Sequence, residues 1–172
     1  MESRAKLFGH PVHPMLIVFP LGLLATSLAF DIVHFASRDD TFFSHMALWL
    51  IGLGICTGLF AAIFGIVDWL AIPRRTRAWR IGLLHGTGNV VVVVLFFISW
   101  LIRRGGDELR PPVVAFVLDI VAVALALLTG WLGGELVDRL GIGVSPGANP
   151  DAPSSLQRPT AAPAQRRTEA HA

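Results

Sequence analysis

The sequence is short of charge and of cysteine. Asp, Glu, Lys and Arg make up 15% of its 172 residues, where a soluble domain carries about 25%. Mean hydropathy is +0.63, and the apolar residues are gathered into long runs. Together these exclude an ordinary soluble fold. The single cysteine, Cys56, rules out a disulfide within the chain. It also rules out a CxxC redox or metal motif, and the CxxCH to which haem is attached covalently. No motif pairs a nucleophilic serine or cysteine with a base at a hydrolase spacing, so no catalytic residue is assigned. Net charge is only +2. The arginines stand mostly at the ends of apolar runs, where they meet anionic lipid. No nucleic-acid partner is expected.

What is abundant is apolar length. A bilayer crossing needs about 20 residues, and four runs reach it, at roughly 15–36, 46–72, 81–102 and 113–137. Polar breaks divide them: Ser37-Arg38-Asp39-Asp40, then Pro73-Arg74-Arg75-Thr76-Arg77, then Arg103-Arg104-Gly105-Gly106-Asp107-Glu108 followed by Pro111-Pro112. The stretch Val90 to Val94 would suit a buried strand elsewhere. Here it lies inside a long apolar run, and lipid leaves an open strand no hydrogen-bond partners, so a helix is predicted. The fold class is therefore all-α, an integral membrane four-helix bundle over residues 1–144. Residues 145–172 are rich in Pro, Ala, Ser and Arg with few large apolar side chains, and read as a disordered tail. The first run continues past the Ser27-Leu28-Ala29 site and carries early prolines, so it reads as a retained span and not as a cleaved signal. With the N-terminus inside, seven Arg and Lys residues flank the inner face. Arg38, Arg103, Arg104 and Arg110 fall outside. That balance predicts both termini in the cytoplasm.

Ionisable groups within a span are costly and mark candidate sites. Placed by depth, His10 and His13 stand at the inner mouth of the first helix, and Asp68 near the inner end of the second. His85 and Asn89 lie one turn apart in the third, and Glu135 near the inner end of the fourth. All four helices thus bring a polar group to within about two turns of one membrane face. A looser second set, Asp31, His34, His45 and Asp119, falls near the outer face. In the first helix His13, Ile17, Pro20, Leu24, Ser27, Asp31 and His34 share one face at spacings of 4 and 3. Gly54, Gly58, Ala61, Gly65 and Asp68 do so in the second, as a small-residue packing seam. In the fourth, Asp119, Ala122, Ala126, Gly130 and Gly133 share a face, whereas Glu135 lies on the Leu128 and Trp131 side.

Each residue has a plain and a chemical reading. His10 and His13 can cap the helix that Pro14 opens, or can ligate. Asp68 and His85 can form an interhelical hydrogen bond, or share a ligand or proton. Asn89 reads as a supporting hydrogen-bond partner. Pro20 reads as a kink. Two histidines from separate helices can hold haem iron from both sides, so His13 with His85 is the expected axial pair, with His10, Asp68 and Asn89 around it. His13, His85, Asp68 and Glu135 could instead hold a divalent metal ion. Asp31, His34 and Asp119 could serve as proton relay stations.

Several motifs, in order, carry a resemblance: HPVHPMLIVFPLGL, Asp31, GICTGLFAAIFGIVDW, HGTGN and GWLGGELVDRLGIGV. Over roughly residues 7–144 the chain resembles the bacterial membrane proteins catalogued as domain of unknown function 2231. The resemblance implies a compact four-helix membrane domain of no established activity. Some relatives are joined to iron–sulfur modules, which leans toward redox work; that module is absent from this sequence. The positions the resemblance marks are His10, His13, Asp31, Asp68, His85, Asn89, Gly133, Gly134 and Glu135. Asp138-Arg139-Leu140 departs from the family pattern. Three functions follow as expectations. The first is a haem b or metal-binding redox module of the inner membrane, with a redox protein partner. The second is a proton-coupled transporter component, acting as a homo-oligomer. The third is an accessory subunit with no cofactor at all.

Overall fold

A computed structural model describes residues 1–37, 41–105 and 111–157. Four helical spans dominate it, Val12–Ser37, Thr41–Leu70, Arg77–Arg104 and Val113–Arg139, each long and apolar enough to cross a membrane. The first is divided into α1 (Val12–Leu16) and α2 (Val18–Ser37). The next two are α3 (Thr41–Leu70) and α4 (Arg77–Arg104). The last is α5 (Val113–Gly134), which continues as a π-helical turn, Glu135–Arg139. Large apolar side chains such as Leu59, Ile63, Val90 and Leu127 are exposed around the outside. In a bilayer they face acyl chains.

Helices therefore form where the apolar runs predict them, and α4 passes through Val90 to Val94 as a helix. The spans are longer than the apolar runs, because polar residues at the ends keep helical geometry. α3 begins at Thr41. α4 begins at Arg77, where the Thr76 hydroxyl accepts from the Trp79 N–H at 3.1 Å, and it runs on through Arg104. The interruption at Ile17 lies one turn before Pro20. Proline has no N–H to give the Leu16 carbonyl, and its ring crowds that turn.

α2 and α3 pack intimately along their length, as do α4 and α5; the two helical hairpins touch each other more sparingly. The bundle is thus two antiparallel hairpins meeting along a seam. Midway, the seam is filled by Leu24, Ile51, Ile55, Val92, Phe96 and Ala122. Residues 71–76 are the covalent connection between the hairpins. There Trp69 stacks on Trp79 with ring centres 5.3 Å apart, and donates to the Trp79 carbonyl at 3.1 Å.

Before α1 the chain makes a small hairpin, Lys6–Leu7 with His10–Pro11. Phe8 and Gly9 turn it, with φ of 50° and 85°. A two-residue turn with both φ positive matches strand twist, and glycine takes such angles without strain. This N-terminal strap lies over the end of the bundle that carries the termini. The Met1 amine donates to the Gly141 carbonyl, and Gly143 N–H to the Met1 carbonyl, each at 2.8 Å. Residues 145–157 form turns only. Ser155 reaches back to His10 Nε2 at 3.2 Å. The remainder of the predicted tail, 158–172, lies outside the described residues, as do Arg38, Arg110, most of the first polar break, and Gly106, Asp107 and Glu108 of the third.

Candidate functional site

The seam carries one polar group set at each end. At the terminal end His13 and His85 face each other across it. Their ring centres are 6.3 Å apart and their planes lie at 89°. Each imidazole is held by its own side of the seam. His13 Nδ1 meets the Ala61 carbonyl of α3 at 2.9 Å, and His85 Nδ1 meets the Thr129 carbonyl of α5 at 2.8 Å. A carbonyl only accepts, so Nδ1 carries a proton in both rings, and Nε2 is the nitrogen not committed to that carbonyl. Two glycines make room. A Cβ on Gly65 would stand 2.9 Å from His13 Cε1, and one on Gly133 3.1 Å from His85 Cε1. The small-residue seam read from α3 is therefore partly a bed for an imidazole.

Asn89 supports this pair without joining it. Its amide donates to the His85 carbonyl at 2.8 Å, and its Oδ1 accepts from the Thr129 hydroxyl at 3.1 Å. Its amide nitrogen stands 3.4 Å from His85 Nε2, a long contact.

The other residues expected at this end are placed elsewhere. Asp68 is turned to the strap. The Ser3 hydroxyl lies 2.8 and 2.7 Å from its two oxygens, and the Arg4 and Ala5 N–H groups donate to Oδ1 at 2.8 and 3.2 Å. No hydrogen bond described for Asp68 reaches His85. Glu135 pairs with Arg77 of α4. His10 sits exposed in the strap hairpin. Neither His10 nor His13 caps α1, whose cap position is Pro11 with no side-chain bond. Depth along a helix brought these groups to one level; direction around the helix separates them. Among the described residues no three His, Cys, Asp or Glu side chains are grouped to hold a metal ion.

Asp68→Ala removes the strap's anchor. We expect the Arg4 and Ala5 amides to lose hydrogen-exchange protection, at a local cost of about 1–3 kcal/mol. Unchanged protection in detergent micelles would show that the strap is held by something else.

The distal end holds a buried ion cluster. Arg103 of α4 forks onto Asp31 of α2, Nη1 to Oδ1 at 2.9 Å and Nη2 to Oδ2 at 2.6 Å. Its Nη2 also bonds Asp119 Oδ2 of α5. Nε donates to the Ser99 hydroxyl at 3.2 Å, which in turn donates to the Ala115 carbonyl at 3.3 Å. Asp31 and Asp119 are 0% exposed and Arg103 is 6% exposed. His34, one turn beyond Asp31, is buried on the same face. Asp119 Oδ1 is the one buried side-chain polar atom among the described residues with no hydrogen-bond partner.

Arg103 corrects the sequence reading, which put it in an outer connection. Two carboxylates draw it inward, and the helix continues past the apolar run to deliver it. The signal was present: His85, Asn89, Val92, Phe96, Ser99 and Arg103 follow one face at spacings of 4, 3, 4, 3 and 4. Two buried aspartates also required a cation. Without Arg103 the outer loops hold three of the four cations assigned to them, which strengthens the charge asymmetry.

Fold and site together define a polytopic α-helical membrane protein with a paired-imidazole end and a buried ion-cluster end. Residues 9–146 match the family described as "Predicted membrane protein (DUF2231)". The chain belongs to that family. No match was found among curated proteins or among solved structures.

Proposed function

We propose that this protein is a membrane redox module in which His13 and His85 are the axial ligands of a b-type haem. One observation carries the reading: two imidazoles, each with Nδ1 on a backbone carbonyl, whose ring centres lie 6.3 Å apart across the seam. Metal–nitrogen bonds of about 2.0–2.1 Å put an imidazole centre about 3.2 Å from a bound ion. Opposed ligands would then have centres about 6.4 Å apart, and tetrahedral ones about 5 Å. At 6.3 Å between ring centres, His13 and His85 would be near enough to hold one iron between them. The donor set points the same way. Zinc takes four ligands, whereas a porphyrin leaves the protein only the axial positions to fill. The Ala61 and Thr129 carbonyls would orient the ligands and raise their basicity. A bare divalent ion on His13 and His85, with Asp68 and Glu135 recruited, requires both carboxylates to leave their present partners.

A proton-coupled role has one observation in its favour, the unpartnered Asp119 oxygen in a cluster of two carboxyl groups and one guanidinium. Against it stands the apolar layer between the ends. From His85 to Arg103 is 18 residues (103 minus 85), or about 27 Å. Arg and Lys distribution favours cytoplasmic termini in a bacterial inner membrane. A redox module there needs an electron-exchanging protein partner.

An absorption spectrum with metal analysis on detergent-purified full chain from haem-replete cells tests the reading. A Soret band with about one iron per chain is the expected result. Colourless protein containing zinc or manganese would transfer the site to the bare-ion alternative. Colourless, metal-free protein would leave only a structural role for the pair.

A further inference from the structure

A groove of about 580 Å³ opens sideways between α3 and α4 at the distal end, within the size range of ligand pockets. Its wall is apolar and aromatic for most of its length, with Trp49, Leu53, Cys56 and Trp100 among its lining residues. Its upper rim carries His45 and two arginines, Arg103 and Arg104. Arg103 is committed to Asp31 and Asp119. Arg104 makes no ion pair among the described residues, and its guanidinium lies over the Trp100 ring, 4.8 Å from the centre. His45 is oriented by Trp49, whose Nε1–H donates to His45 Nε2 at 3.0 Å. Gly52 lets the Trp100 ring lie close against α3: a Cβ there would stand 3.2 Å from Trp100 Nε1.

The occupant must therefore be amphipathic, with negative charge at one end. The rim stands at the end of α4, where a spanning helix meets the headgroup layer. From His45 down to Cys56 is 11 residues (56 minus 45), or about 16 Å of apolar wall. We infer that the α3/α4 groove binds one anionic phospholipid, its phosphate on Arg104 beside His45 and one acyl chain descending toward Cys56. An arginine at the headgroup layer attracts an anionic headgroup. A zwitterionic lipid fits the wall equally but gains less at the rim. The site is independent of the imidazole pair, which lies at the opposite end.

Native mass spectrometry of the detergent-purified full chain, offered equal phosphatidylglycerol and phosphatidylcholine, tests the inference. Phosphatidylglycerol should be retained about fivefold better, the preference one arginine supplies near an anionic headgroup. Arg104→Lys should keep that preference and Arg104→Gln should abolish it. Arg104 is exposed, so neither change threatens the fold. Cys56→Trp fills the lower groove and should reduce retention of both lipids. Equal retention by the unmodified protein, or a preference that survives Arg104→Gln, overturns the inference. Retention unaffected by Cys56→Trp overturns the placement of the chain.

Discussion

Arg103→Met is expected to destabilise the protein by about 3–5 kcal/mol, a large share of the 5–15 kcal/mol that holds a typical domain together. The substitution keeps much of the side chain's length and apolar stem. What it removes is, among the described residues, the cation bonded to Asp31 and Asp119, both wholly buried. Two carboxyl groups would then face each other within the bundle without a partner, and each would have to take up a proton or pull its helix toward water. The cost is that of the orphaned charges and not the net worth of the cluster. A buried ion group can often be exchanged for apolar residues of similar volume with little loss. Arg103→Met combined with Asp31→Leu and Asp119→Leu should accordingly recover most of the stability. Thermal unfolding in detergent, followed by size-exclusion homogeneity, distinguishes the three proteins. A single substitution as stable as the parent would mean that the two aspartates are not charged in the folded state.

If the pair holds a haem as proposed, His85→Ala should abolish the Soret band and His13→Ala should do the same, because each would remove one of its two protein ligands. The double substitution should look like either single one, since the pair works as a unit. Asn89→Ala touches neither ligand ring's Nδ1 bond. It releases the Thr129 hydroxyl and the His85 carbonyl, and should weaken binding by about 10–100-fold, as loss of an outer-shell partner does. Gly65→Val presses on the His13 ring and should weaken binding while leaving both ligands in the sequence. A band that survives His85→Ala at full intensity would move the ligand assignment elsewhere, even if haem is present.

The spans were legible because lipid makes a demanding solvent: twenty apolar residues in a row have few other uses. The inward faces were legible too. The predicted stripe of α2 buries Leu24, Ser27, Asp31 and His34, and that of α5 buries Asp119 and Ala122. Asp68 shows what was not. Its depth along the helix puts it level with His85, but the segment that claims it is the eleven residues before α1, a mixed stretch with no periodicity to read. A strap that folds back over a bundle end leaves its trace in hydrogen bonds, not in spacing. Arg103 shows a different gap. A charged residue at the edge of an apolar window looks like a loop boundary, and its inward aim emerges only when its helix face is followed for five turns.

The ion cluster also constrains how the chain can be made. Asp31 leaves the ribosome 72 residues ahead of Arg103, and at about 5–20 residues per second that is a wait of about 4–14 s. During that interval the first helical pair must enter lipid with a carboxyl group that has not yet met its guanidinium. Asp31 either waits in the headgroup layer or crosses as the neutral acid. Only the arrival of the third span brings the guanidinium that Asp31 bonds at its final depth, so the cluster cannot close until that span is in place.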